Sequence, residues 1–538
     1  MRWLRAVLLL TCFAAAALLP RALAQHDHDA GESVALGHVD FATSCSPAVQ
    51  PDFNRAVALL HSFWYKKSEE TFAEIAKADP SCGMAEWGVA MSHFRQLWDP
   101  PNPADVQIAW PAVQRAKAAG AKTQRERDYI SAIEMLYKDA DTEPYPARAH
   151  AYEGAMRQIY EGYPDDHEAA IFYALAVRAN APIADKTYAS QKRASAILEA
   201  LFVQFPDHPG LAHYIIHCDD YTALAPLALD AARRYAKIAP DAPHALHMPS
   251  HIFTRLGLWQ ESIDSNVASA AAARKNSLAG DELHALDYLV YAYLQQGRDR
   301  EAMEISSALP KVSPNDAAYF AGLYATASIP SRLAVERHRW PEATALAVPN
   351  DTFPGGRYAW TEADLYFARA LGGARGGNLE TARLTLQEMT SLRDKLLADH
   401  NSYAADQVNI QREAVIAWLA FAEGKKDDAL AEMRAAADHE DGTEKLPVAP
   451  GALVPARELL GEMLLEAKQP ALALEAFEAS LKLTPGRYNS LAGAARASQL
   501  SGDRQRAAKY YSELLANCPQ ASSDRPELRE ARLFLNQK

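Results

Sequence analysis

Two stretches of this 538-residue chain, PDHPGLAHYIIH ending at His217 and PDAPHALHMPSH ending at His251, share the frame P-D-x-P-x3-H-x3-H and lie 34 residues apart. An offset of 34 is the length of one helix-turn-helix solenoid repeat. Histidines at i and i+4 of a helix point the same way, so His213 with His217 and His247 with His251 form two pairs. The duplication therefore asks for stacked helical repeats that set four imidazoles on two neighbouring rungs.

The rest of the chain keeps the same ruler. Helical periodicity runs nearly throughout, and strand-like alternation bounded by turns is scarce. Leu460, Gly461, Leu464, Ala473, Phe477 and Pro485 mark one unit, and Ala507, Tyr511 and Pro519 repeat its last three positions one period later. Small residues let paired helices approach, and the proline ends the second helix. On these positions the chain resembles the exported bacterial tetratricopeptide-repeat proteins, sharply at the C-terminus and loosely before residue 200. The resemblance implies an all-α, tetratricopeptide-like helix-turn-helix solenoid wound as a right-handed superhelix, of a subfamily whose activity is unknown.

The expected organisation is a leader at 1–24, a disordered mature N-terminus at 25–44, irregular helical repeats at 45–200, and central repeats carrying the histidines at 201–345. Further repeats with a long loop follow at 346–438, then a linker at 439–451 and C-terminal repeats at 452–538. The long loop (Val348 to Trp360) and the linker (His439 to Gly451) are either plain connections or caps over a groove.

Arg2 and Arg5, an apolar run from Ala6 to Leu19 and the site Ala22-Leu23-Ala24 read as a cleavable secretory signal, which places the product in the periplasm or outside the cell. No other stretch is apolar for long enough to span a membrane. The formal charge of −13 becomes more negative once Arg2, Arg5 and Arg21 leave with the leader, which argues against nucleic acid as a partner. His26, Asp27, His28 and Asp29 offer weak chelation. Cys45 and Cys82 precede helix starts one rung apart; they read either as a disulfide worth roughly 3–4 kcal/mol or as two buried thiols.

Six of the 17 histidines fall between residues 213 and 284, where even scatter would place about two. The tetratricopeptide resemblance implies that positions 2, 5, 9 and 12 of each first helix face the inner wall. It puts His213 and His247 at position 5, His217 and His251 at position 9, His244 and His284 at position 2, with Asp287, Tyr291, Ser328 and Arg332 continuing the rows. His213, His217, His247, His251, His284 and Asp287 are the candidate ligands of a divalent transition metal (zinc, iron, copper or manganese). His244, Tyr291, Ser328, Arg332 and Asp220 (or Asp219) are candidate contacts to a small ligand. Pro249 and Pro330, inside first helices, are expected to kink them around a pocket, unless they are ordinary irregularities. His61 and His93 read as core histidines, and Cys218 as packed.

Three functions fit these residues. One is a solenoid whose groove binds a transition metal and an anionic ligand held against Arg332. The second is a hydrolytic or oxidative metalloenzyme, with Tyr291, Asp287 or His284 moving protons. The third is a metal-free scaffold for a peptide or protein partner. No G-x-S-x-G, phosphate-binding glycine loop, C-x-x-C or H-E-x-x-H motif is present.

Overall fold

A computed structural model describes residues 34–538 except 98–99, 315, 317, 349–355, 445–447, 524 and 538. The expected leader, the cluster from His26 to Asp29 and most of the long loop lie outside the described residues. Every regular element among the described residues is helical, and successive helices pack as antiparallel pairs from Gln50–His61 with Tyr65–Ala78 to Tyr488–Leu500 with Arg504–Asn517. This is an all-α solenoid of tetratricopeptide type. No helix among the described residues is long and apolar enough to cross a membrane.

The small residues of the repeat are needed where the helices cross. A Cβ on Gly461 would stand 2.8 Å from the Phe477 ring, and one on Gly493 would stand 2.3 Å from it, so Phe477 is clasped between two hydrogen-only positions. Phe72 fills the equivalent slot over Gly88, at 2.3 Å.

The solenoid does not run as an open spiral. Its C-terminal repeats return against the turns of the central ones: Trp259 Nε1 donates to Gly486 O (3.0 Å), the Tyr488 amide donates to Gln295 Oε1 (2.8 Å), and Arg525 pairs with Asp299 (2.6 Å). Gly257 lies at this seam with φ 70°, where an added Cβ would come within 2.4 Å of Pro485 O. Both the left-handed backbone and the close approach require glycine there.

One sequence expectation is corrected at the N-terminus. The stretch expected to be a disordered N-terminus is ordered from Ala35 onward. Leu36, Val39 and Phe41 are buried, and Phe41 packs edge-on to Phe53 and Trp87 because the first repeat has no preceding repeat to cover its apolar face. Cys45 and Cys82 are joined as a disulfide spanning 37 residues, with Cα atoms 4.8 Å apart, and tie this segment to the first repeats.

The linker expected at 439–451 is also redrawn. His439 to Asp441 belong to the helix Lys426–Asp441, and Val448, Ala449, Leu453 and Val454 are buried. Its described residues bond to helices of the central repeats. Lys186 and Tyr188 hold Glu444 at one end (2.8 and 2.6 Å), and Arg332 donates to Ala452 O (3.1 Å) at the other.

Candidate metal centre

Four helices of the central repeats carry the histidines: Pro209–Asp219, Pro243–His247, Pro249–Arg255 and Ala279–Gln295. The two prolines expected to act alike behave differently. Pro249 separates two short helices, and the His251 amide bonds back to Met248 O (3.1 Å) in a tightened turn, whereas the helix Tyr319–Val335 continues through Pro330. A proline costs one backbone hydrogen bond in either case; only beside His247 and His251 does it break the helix.

The six histidines form two sets of three. His213, His217 and His244 make one set and His247, His251 and His284 the other, each with one nitrogen per ring within 4.8 Å of the others. The sets adjoin, with ring centroids 6.1 Å apart for His244 and His247 and 6.4 Å apart for His217 and His251. All six rings are buried or nearly so.

The surrounding hydrogen bonds orient the rings. His213 Nδ1 donates to the carbonyl of His61 (2.6 Å), which can only accept. His247 Nδ1 donates to Asn266 Oδ1 (2.7 Å), and the Asn266 amide is oriented by its own donation to Ser262 O (2.8 Å). His251 Nδ1 donates to Asp220 Oδ2 (2.9 Å), whose other oxygen accepts from Arg255 Nε (2.9 Å). With the proton fixed on Nδ1, the Nε2 of each ring carries a lone pair, the usual arrangement behind a metal-bound histidine. His247 Nε2 and His251 Nε2 then face each other at 3.0 Å, as do His213 Nε2 and His217 Nε2 at 3.0 Å. Two nitrogens bound tetrahedrally to one ion at ~2.0–2.1 Å stand roughly 3.3 Å apart, close to this spacing.

Protons compete poorly for these nitrogens in the first set. Burial, reinforced by the neighbouring imidazoles, lowers His213 to about 3 and holds His217 and His244 well below the ordinary histidine range. The rings are therefore neutral imidazoles, the form that binds metals.

Other expected site residues lie elsewhere. Asp287 is buried away from both sets, where its Oδ1 accepts from Ser328 Oγ (2.8 Å) and lies 3.8 Å from Arg332 Nε. Tyr291 receives a hydrogen bond from Arg487 Nη1 (3.2 Å), and the Arg332 guanidinium stacks over its ring at 4.7 Å. This buried polar group braces the residues around Ala452, so the anionic ligand expected against Arg332 has no exposed cation to meet. Asp219 turns back to Ser195 Oγ (3.0 Å), and Asp220 supports His251 as described. Cys218 is buried and unoxidised.

His61 is a core histidine, bonded to Tyr214 (2.9 Å) and Glu168 (2.8 Å), and its carbonyl also supports His213. Glu168 reaches His208 as well (2.9 Å), forming a third close-set cluster behind the first. His93 lies between Asp105 (3.2 Å) and Glu69 (3.4 Å). Tyr288, which the repeat register did not single out, stacks on His251 at 4.6 Å, with its hydroxyl 3.2 Å from Nδ1. It lies one helical turn beyond His284, the spacing already used to pair the other histidines.

A cavity of about 530 Å³ opens over the two sets. His217, His244, His251 and His284 line one side, and Ile183, Met248, Phe320, Trp360 and Val448 line much of the rest. Val448 borders it, and the adjacent Ala449 O accepts from Tyr288 Oη (3.3 Å). Trp360 shows that the end of the long loop also borders the cavity.

No family model and no curated protein matches this chain. Among solved structures it is similar to the TPR domain of P58(IPK), at 11% identity and a TM-score of 0.19 over 91% of this chain and 99% of the other. The Cut9–Hcn1 hetero-tetramer of the APC/C matches at 12% and 0.26 over 90% and 95%, and a human IFIT1 dimer with m7Gppp-AAAA at 12% and 0.32 over 81% and 90%. Similarity at this level places the chain in no family and carries no function across. The class is that of the helix-pair solenoid described above.

Proposed function

We propose that this is an exported solenoid that binds two transition-metal ions, one in each tris-histidine set. The observation that carries the reading is the pair His247 and His251. Asn266 and Asp220 take their Nδ1 protons, so two lone pairs point at each other across 3.0 Å. A single cation between these two nitrogens would be held by both rings at once. Six imidazoles without a carboxylate among them suit copper or zinc better than manganese, whose sites favour oxygen donors. Export rests on the leader-like N-terminus and agrees with a disulfide at Cys45–Cys82.

The scaffold reading has less support. A peptide bound as solenoids usually bind one would lie along the first helices of the repeats, where the chain's own Ala449 and Ala452 already bond to Tyr288 and Arg332. Metal analysis of protein purified without an affinity tag tests the proposal. Two equivalents are expected, falling to one in His247→Ala/His251→Ala; no metal under any loading condition refutes it.

A further inference from the structure

We propose that the cavity over the histidines is a binding site for a small organic molecule with a flat, uncharged aromatic body and one metal-seeking oxygen head. The inference rests on the metal reading and adds what the metals face. Each set turns two of its three rings to the cavity, His217 and His244 from one and His251 and His284 from the other, while His213 and His247 stand behind them. The uncompleted side of each ion therefore opens inward to the cavity, as in metal sites that keep a position for substrate. A site for storage alone would need no such chamber.

The walls define the rest of the molecule. Much of the wall is apolar or aromatic, with Ile183, Met248, Phe320, Trp360 and Val448, and polar side chains such as Asn401 and Tyr403 stand among them. Arg178 and Asp220 on the wall are already engaged: Arg178 Nε donates to His217 O (2.8 Å), and Asp220 bonds both His251 and Arg255. A charged body would thus be desolvated without a partner, whereas a ring is favoured by burial against these side chains. At about 530 Å³ the chamber is in the range of small-molecule sites and takes one or two rings with their substituents.

Two hydroxamates with the same metal-binding head test this on the full-length protein loaded with Co²⁺, whose visible spectrum reports ligands entering the metal's shell. Benzohydroxamate is expected to bind at least about tenfold more tightly than acetohydroxamate, because only the former carries a ring to bury against the walls. In Ala404→Trp, which adds bulk to the cavity wall on a helix that carries none of the six histidines, that preference should collapse to less than about twofold with acetohydroxamate affinity kept. Ala181→Trp is the second variant should the first fail to fold. Cobalt that binds while the two hydroxamates bind equally, or neither binds, overturns the cavity proposal and leaves the metal reading standing. Failure of cobalt to load at His213, His217, His247 and His251 overturns the metal reading itself.

Discussion

Replacing Asn266 by leucine isolates the role of the side chain that holds His247 in place. Asn266 is fully buried; its Oδ1 accepts from His247 Nδ1 (2.7 Å) and Ser250 Oγ (3.3 Å), and its Nδ2 donates to Ser262 O (2.8 Å). Leucine has similar volume and makes none of these bonds. The imidazole N–H left without an acceptor costs about 1–3 kcal/mol, so Asn266→Leu should lower the stability of the metal-free protein by at least about 1 kcal/mol. The ring is also released to place its proton on Nε2, the nitrogen meant for the metal. Loss of such a supporting bond weakens metal binding by about 10–100-fold, or ~1.4–2.8 kcal/mol. The effect should be confined to the set His247, His251 and His284, because His213 is supported separately by the His61 carbonyl. Chelator competition with two resolvable sites, paired with thermal denaturation, measures both quantities. Unchanged affinity at both sites in a folded Asn266→Leu protein would refute the assignment of the Nδ1 proton and the argument built on it.

Further outcomes follow from other parts of the structure. Cys45→Ser/Cys82→Ser should lose roughly 3–4 kcal/mol, judged by denaturant unfolding against the wild type, since the bridge closes a 37-residue interval; a change below about 1 kcal/mol would show that the bridge does not restrain the unfolded chain. Gly493→Ala should cost about 1–3 kcal/mol by forcing a methyl group within 2.3 Å of Phe477, and Gly493→Ala combined with Phe477→Leu should recover part of it. In the metal-free protein, His213 is lowered to about 3 from an ordinary 6.5, so the unfolded chain binds more protons between those values and stability falls as pH drops through that window. His93 has the opposite sign. Burial lowers it, but the bonds to Asp105 and Glu69 outweigh that and raise it to about 9, so its contribution is complete below about 6.5 and lost as pH rises through 9. His93→Gln should remove that alkaline decline while leaving the acid one in place.

The histidine sets were legible because two periods coincide. The four-residue spacing fixes which rings share a helical face, and the 34-residue spacing fixes which faces stack. That is why His213, His217, His244, His247, His251 and His284 all came from the register. Asp287 did not join them, although it holds the same register position as His213 and His247. A buried carboxylate is drawn to a nearby cation, and Arg332 on the helix Tyr319–Val335 supplies it. Tyr288 and Asn266 were missed for a different reason. Neither lies on the register positions used, and Asn266 belongs to a second helix, whose inward residues support the first helix from behind.

Glu444 and the residues from Val448 to Val454 had no periodic signal to read. Their place is set by contacts with residues far away in sequence, from Lys186 to Arg332. The same is true of the return of the C-terminal repeats onto Gly257 and Gln295. Repeat periodicity fixes neighbours, whereas the closing of a solenoid upon itself depends on small angles added over many rungs.

X-ray absorption at the metal edge of protein isolated without an affinity tag tests the central claim most directly. Two ions bound as proposed predict a first shell dominated by nitrogen at ~2.0–2.1 Å, with the outer-shell scattering of about three imidazoles per metal. A first shell of sulfur or of carboxylate oxygen, or protein that carries no metal after loading and stays folded, would contradict it.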